Sequence, residues 1–269
     1  MQDHISASIR YTVNTGVKPV SQSRTLGGRI EYRNCTFADH MVQIRNGRKE
    51  VDDFDFEQHG FVFVRHVTQV ANFFDQEEVE CDYYPEAGAL IKHVTGAERV
   101  HIFDHTVRSG DPVKQELGTR EPLMQVHNDY TNWSGPQRVR DLLPEEAEDL
   151  LRRRFMIVQV WRPIGAAVVS NPLALCDAQT LAEADLIPTE RRHPNRVGET
   201  YTLSYNPAHR WYYFPKMRRD EAVVFKVYDS AADGNARFTA HGSFDDPDTP
   251  ENAPPRESIE LRALVFFNT

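Results

Sequence analysis

The run Phe155-Met156-Ile157-Val158-Gln159-Val160-Trp161 constrains the fold more than any other segment. It is nearly continuous and apolar, and successive side chains of a strand point to opposite faces. Both faces therefore need cover, as in a strand buried within a sheet. Further strand-like segments surround it, at residues 6–13, 28–32, 60–64 and 98–107 before it and at 166–170, 200–205, 211–214, 222–228 and 258–267 after it. Gly, Pro, Asn and Asp punctuate them, and many short strands of this kind predict a closed or two-sheet β architecture. Helical spacing is confined to a few places. Ala87, Leu90, Ile91 and Val94 recur at i, i+3, i+4 and i+7 within residues 86–96. Residues 73–84 offer Val79, Tyr83 and Tyr84 for packing on a sheet. Pro136 is placed in a first turn ahead of Val139, Leu142 and Leu143, and Pro144 opens a second helix over residues 145–154. The expected class is mainly β with flanking helices, the helices buttressing one sheet.

Length and charge narrow the function. The 269 residues are ordinary for one unit of this class, with 40% hydrophobic and 26% charged residues, enough for a core and against disorder. A net charge of −9 disfavours a nucleic-acid or anionic-membrane surface. No apolar run approaches the roughly 20 residues that span a bilayer. Met1-Gln2-Asp3-His4-Ile5 carries a charge where a signal peptide needs an apolar core. Cys35, Cys81 and Cys176 are odd in number and far apart, which fits a reducing cytoplasm rather than a disulfide framework. Small-molecule chemistry is the class left, and nothing here sets an oligomeric state.

Val126-His127-Asn128-Asp129 carries the chemistry. Residues i and i+2 of a strand share a face, so His127 and Asp129 aim at one point. With a distant histidine they would complete the two-histidine, one-carboxylate triad of non-haem Fe(II) oxygenases. His193, His209 and His241 are the candidates: His193 in a polar loop, His209 in a turn between strands, His241 shortly before the last strand. Downstream, Arg256 and Ser258 share a strand face, and a guanidinium fork with a hydroxyl beside it suits the distal carboxylate of 2-oxoglutarate. Arg262 extends that face and competes for the role. Arg162, ending the apolar strand, either pins a substrate or co-substrate carboxylate or only pairs with an acidic neighbour and reaches solvent. Tyr205, His209 and Tyr212 are expected to flank the same barrel mouth, although aromatics such as Trp211-Tyr212-Tyr213 also suit a core.

Assembled, these residues resemble the asaB-type hydroxylase/desaturase family of Fe(II)/2-oxoglutarate-dependent dioxygenases, which includes the fungal gibberellin desaturase. The cephalosporin 7α-hydroxylation component and fungal aziridine-forming oxygenases look similar. The resemblance rests on Val126-His127-Asn128-Asp129-Tyr130-Thr131, Val158-Gln159-Val160-Trp161-Arg162-Pro163-Ile164, Asn171-Pro172-Leu173-Ala174-Leu175-Cys176-Asp177, His209-Arg210-Trp211-Tyr212-Tyr213-Phe214-Pro215, Asp220-Glu221-Ala222-Val223-Val224-Phe225-Lys226 and the segment from His241 to Arg262. It implies a double-stranded β-helix, a cupin-like jelly roll. Residues 1–269 would form a single domain, with those up to about 120 buttressing a core over the rest. It implies iron on His127, Asp129 and His241, 2-oxoglutarate on Arg256 and Ser258 with Arg262 as the rival anchor, and O2 as co-substrate. The substrate would be a small specialised metabolite or amino-acid derivative that is hydroxylated, desaturated or closed into a ring such as an aziridine. Family members often carry Thr or Ser with a Pro beside the distal histidine, where this chain has Ala240 and Gly242.

Two other classes use the same residues differently. A non-catalytic cupin-like binding module would keep the barrel without turnover. A Zn-dependent hydrolase would use His127, Asp129 and His209.

Overall fold

The structure, a computed structural model, describes residues 2–23, 30–194 and 196–268. In chain order the strands are β1 (His4–Thr12), β2 (Val20–Ser23), β3 (Ile30–Arg33), β4 (Phe37–Asn46), β5 (Phe61–Arg65), β6 (Arg99–Ser109), β7 (His127–Asn128), β8 (Phe155–Pro163), β9 (Leu173–Cys176), β10 (Leu186–His193), β11 (Arg196–Leu203), β12 (Trp211–Tyr213), β13 (Glu221–Asp229), β14 (His241–Ser243) and β15 (Glu257–Phe266). The helices are α1 (Gln76–Glu78), α2 (Tyr84–Thr95), α3 (Pro112–Glu116), α4 (Ser134–Leu142) and α5 (Ala147–Leu150), with a π turn (Val79–Tyr83) joining α1 to α2.

Among the described residues the strands form two sheets, one in the order β1-β4-β12-β9-β14-β7-β11-β10-β2-β3 and one in the order β5-β13-β8-β15-β6. They face each other across an apolar interior. Phe155, Ile157 and Trp161 of β8, Val223 and Phe225 of β13, and Leu264 of β15 meet Leu175, Tyr201 and Tyr212 of the other sheet. This is a double-stranded β-helix, and strand alternation decides what enters it. The other face of β8 presents Met156, Val158 and Val160 to Val79, Tyr83, Ala87, Leu90 and Ile91 of the helix. That answers why the run at 155–161 is apolar on both faces. The long sheet is covered outside by its own first strand: Arg10 bridges Gln125, and Ile9 and Tyr11 join Val126, Leu203 and Trp211. Burying one such large side chain contributes about 1.5–3 kcal/mol.

The strand at 60–64 and the helix pattern at 86–96 appear as β5 and α2, and Gly96 ends α2 with a left-handed φ of 69°. Residues 166–170 are not a strand; the Val168 amide turns instead to the Met217 carbonyl, 2.9 Å away. The helix expected over 145–154 shrinks to α5, because Arg154 is drawn to Asp229 (2.7 Å) at the start of β8. Of the strand expected over 28–32, Gly28 and Arg29 lie outside the described residues, and β3 takes the rest. His193 ends β10 rather than sitting in a loop: the polar segment Glu190-Arg191-Arg192 pairs in parallel with β2. Among the described residues no helix is long and apolar enough to cross a membrane.

Candidate metal centre

β7 is two residues long, but it lies between β14 and β11 and places His127 opposite His241. The two rings are 4.5 Å apart between centroids, and Asp129 Oδ1 approaches His127 Nε2 at 3.3 Å. One donor atom from each of His127, Asp129 and His241 lies within 4.8 Å of the others. Both imidazoles are fixed from behind. His127 Nδ1 lies 3.0 Å from the Gln125 carbonyl and His241 Nδ1 3.0 Å from the Thr239 carbonyl. A carbonyl only accepts, so each Nδ1 carries the proton and each Nε2 offers its lone pair to the centre, as a metal-ligating histidine requires.

Asp129 is held ionised. Burial opposes its charge, but the Arg262 guanidinium beside it outweighs burial and holds its carboxyl well below the usual range. Oδ2 accepts from Gln159 Nε2 and from Arg262 Nη1 (3.2 Å), which leaves Oδ1 turned to the histidines. His241 is kept neutral: burial, then the neighbouring His127, lowers it to about 4. Two neutral nitrogens and one carboxylate form the donor set that suits Fe(II) with positions left open.

Gly60 supports this arrangement from outside the centre. It adopts a φ of 84°, and its carbonyl accepts from Thr239 Oγ1 (2.9 Å), the residue whose own carbonyl orients His241. A Cβ at Gly60 would collide with that hydroxyl. Gly60→Ala is expected to cost about 2 kcal/mol, from the left-handed backbone alone about 1–2, and to weaken iron retention. A lower denaturation midpoint together with a lower iron content checks it.

Arg256 lies just before β15, 3% exposed, over the Trp161 ring. Its Nη1 donates to the Asn171 carbonyl and to Ser243 Oγ, both at 2.6 Å. Its Nε and the nearby Ser258 Oγ are buried without a partner. Burial, then the charge of Arg108, lowers Arg256 to about 9. A buried cation facing neutral groups and an orphan hydroxyl is a receptor short of an anion. Arg262 is not such a receptor. Its fork is filled by Asp104 (2.7 Å), Thr106 (3.2 Å) and Asp129.

The four residues expected at the mouth are elsewhere. Arg162 points to the helix side of β8, donating to the His66 and Arg219 carbonyls over the Phe73 and Tyr83 rings, because β8 alternation puts Trp161 inside and Arg162 out. Tyr205 stacks on His40 at 3.9 Å on the outer surface. His209 is buried between Tyr11 Oη (3.2 Å) and Asp185 (3.1 Å), which also removes it from any zinc set with His127 and Asp129. Tyr212 sits in the inter-sheet core with its hydroxyl on Glu50 (3.0 Å). The cleft that does open beside Asp129, about 190 Å3, is lined by Arg120, Tyr130, Trp133, Arg138, Arg191 and Arg262 among others. Gln159 had a signal, being the one polar residue in the apolar run; Arg191 was hidden by the loop reading, and Arg120 by any lack of pattern.

Buried and half-buried histidines also set an acid limit. Burial is the largest cause lowering His66, His105, His209 and His241 from 6.5. The unfolded chain binds these protons first, so the stability they contribute is full above about 6.5 and is lost as pH falls toward about 4, the His241 value. The Tm of metal-free protein should fall on the order of 5 °C between pH 7 and pH 5.

Comparison with known proteins agrees with this geometry. A family model described as "Oxidoreductase/YMDC permease-like domain" matches residues 9–266. The Fe(II)/2-oxoglutarate-dependent dioxygenase nvfI of Aspergillus novofumigatus (strain IBT 16806) is 35% identical over 240 residues, covering 87% of this chain and 85% of the relative. The hydroxylase/desaturase CTB9 of Cercospora beticola is 33% identical over 264 residues, covering 90% and 81%. A solved structure of the iron and alpha-ketoglutarate-dependent endoperoxidase NvfI superposes with a TM-score of 0.89 at 30% identity, covering 100% of both chains.

Proposed function

We propose, for a chain that belongs to the Fe(II)/2-oxoglutarate-dependent dioxygenases and to the oxidoreductase family whose model spans it, that His127, Asp129 and His241 hold the iron and that Arg256 and Ser258 hold the distal carboxylate of 2-oxoglutarate. The protein is an oxidoreductase that uses Fe(II), 2-oxoglutarate and O2 on a small-molecule substrate. Bound together, metal and co-substrate supply the activation of O2 that oxidises an otherwise unreactive C–H bond.

The protein supplies position. The two Nδ1–carbonyl contacts lock both imidazoles in one tautomer and aim both Nε2 atoms. Gln159 and Arg262 engage Oδ2 of Asp129, so the carboxylate presents one oxygen to the metal and an open face remains. Ser243, which Arg256 contacts, follows His241 by two residues on β14 and shares its face, roughly 7 Å along the strand. A five-carbon dicarboxylate fits that separation, one end at the metal and the other at Arg256. Apolar side chains of the inter-sheet core keep water from the space between.

The observation that carries this reading is the triad with both histidines backed by carbonyls. Anaerobic addition of Fe(II) and 2-oxoglutarate should produce a weak charge-transfer band in the visible. A wild-type protein without that band would overturn the reading, and the binding-module alternative would take its place.

A further inference from the structure

Among the described residues, three guanidinium groups at the mouth of the jelly roll, those of Arg120, Arg191 and Arg196, lack an acidic partner, although acids are close. In the cleft beside Asp129, Asp104 is held by Arg262 (2.7 Å), Glu199 by Lys18 (2.6 Å) and Thr131 (2.7 Å), and Asp141 accepts from Gln137 (2.7 Å). Arg138 covers the Phe103 ring and lies 4.0 Å from Asp104. That leaves Arg120, Arg191 and Arg196, and of these Arg120 and Arg191 repel each other and Arg108, which draws an anion to them. Among the described residues Arg191 donates only to the neutral Ser21 Oγ (3.2 Å), and Arg120 has no hydrogen-bonded or ion-paired side-chain partner.

Both are anchored by backbone. The Arg120 carbonyl accepts from the Ser109 amide (2.9 Å), and the residue bridges Arg108 at the edge of β6. Arg191 pairs with Ser21 of β2 and Gly198 of β11. One cation comes from each sheet, and the two face the same cleft. Burial comes first, and neighbouring guanidiniums add to it, in lowering half-buried Arg191 below the usual arginine value, and exposed Arg120 stands among the like charges of Arg108 and Arg262, so each would gain from an anion. Two apolar side chains stand on the otherwise polar rim of the cleft: Trp133 and Val197 line it and are 52% and 54% exposed.

We propose that this cleft receives an apolar-bodied carboxylic acid, its carboxylate held between Arg120 and Arg191 and its hydrocarbon part lying on Trp133 and Val197. The inference rests on the dioxygenase reading of the adjacent triad and names the substrate class for it. Asp129 lines the same cleft, so an acid anchored there lies beside the metal centre. The two guanidiniums take the place that Arg162 was expected to fill. They are distinct from Arg256, whose fork lies on Ser243 and Asn171.

The test uses anaerobic holoenzyme with Fe(II) and 2-oxoglutarate, titrated by ligand-observed NMR with naphthalene-2-carboxylate and with its methyl ester. Wild type should bind the acid at least about tenfold more tightly than the ester, the value of a hydrogen-bonded charge. Arg120→Gln and Arg191→Gln should each weaken the acid about tenfold and leave the ester and the charge-transfer band as they were. Arg120 is exposed, so Arg120→Gln decides the matter even where Arg191→Gln fails to fold. Equal binding of acid and ester, an acid preference that survives the double variant, or displacement of 2-oxoglutarate by the acid would each overturn the proposal. Absence of the charge-transfer band in wild type, before any acid is added, overturns instead the reading of the metal centre.

Discussion

His241→Ala is expected to give a folded protein that retains no iron after dialysis and loses at least about a hundredfold in turnover, the loss that follows even a change outside the ligand sphere. The histidine supplies one of two neutral nitrogens, and its neighbours offer no replacement: Ala240 and Gly242 have no donor side chain, and Phe225 covers its ring at 4.8 Å. Its side chain is small beside the inter-sheet core, so the fold should survive. His209→Ala is the control. It should keep full iron content but lose about 1–2 kcal/mol of stability, because buried Tyr11 and Asp185 each lose a hydrogen bond, Tyr11 keeping Trp211 and Asp185 keeping Asn206 and the Ala182 amide. Metal analysis and thermal melts on the two variants separate the roles. Stoichiometric iron in His241→Ala would show that the ligand set is misassigned.

The contrast between these two histidines shows what the sequence carries. His127 and Asp129 were legible because strand periodicity alone puts them on one face. His241 was one of three candidates on residue evidence, since a strand pairing that joins residues 241 and 127 leaves no local mark. The resemblance to the dioxygenases selected it. The same limit explains the misplaced mouth. Arg162 ends a buried strand, as its place in the sequence implies, but whether it faces the interior or the helix depends on which face of β8 the helix covers. Its neighbour Gln159 took the inward position and reached Asp129. Tyr205 and His209 follow β11, and they turn outward because β1 folds over the outer surface and offers Tyr11. Strong local signals therefore gave the elements at 60–64, 86–96 and 155–161. Short strands such as β7, β9 and β14, which exist only through their partners, were found by structure. They build the centre.

Arg256→Lys is expected to raise the KM for 2-oxoglutarate about 10- to 100-fold with iron content unchanged. An ammonium cannot keep the contacts to Asn171 and Ser243 and also present a fork to a carboxylate. Arg262→Lys should do the reverse, loosening iron through Asp129 while leaving that KM near its original value, because Arg262 is already committed to acids. Stability gives a second, independent reading. In the protein without co-substrate Arg256 is a buried cation without a counter-ion, and such a group contributes little to folding until an anion arrives. Arg256→Met should therefore stay within about 1–2 kcal/mol of wild type in the absence of 2-oxoglutarate, the lost bonds to Ser243 and Asn171 offset by relief of the buried charge. Saturating 2-oxoglutarate should stabilise iron-loaded wild type by about 2.7 kcal/mol at a hundred times its Kd and should not move the Met variant at that concentration. A Met variant still stabilised like wild type would assign the distal carboxylate to another cation, and the shift retained by Arg120→Gln and Arg191→Gln would show which. A guanidinium buried among neutral acceptors, with Ser258 Oγ orphaned beside it, is held ready for a ligand rather than for the fold.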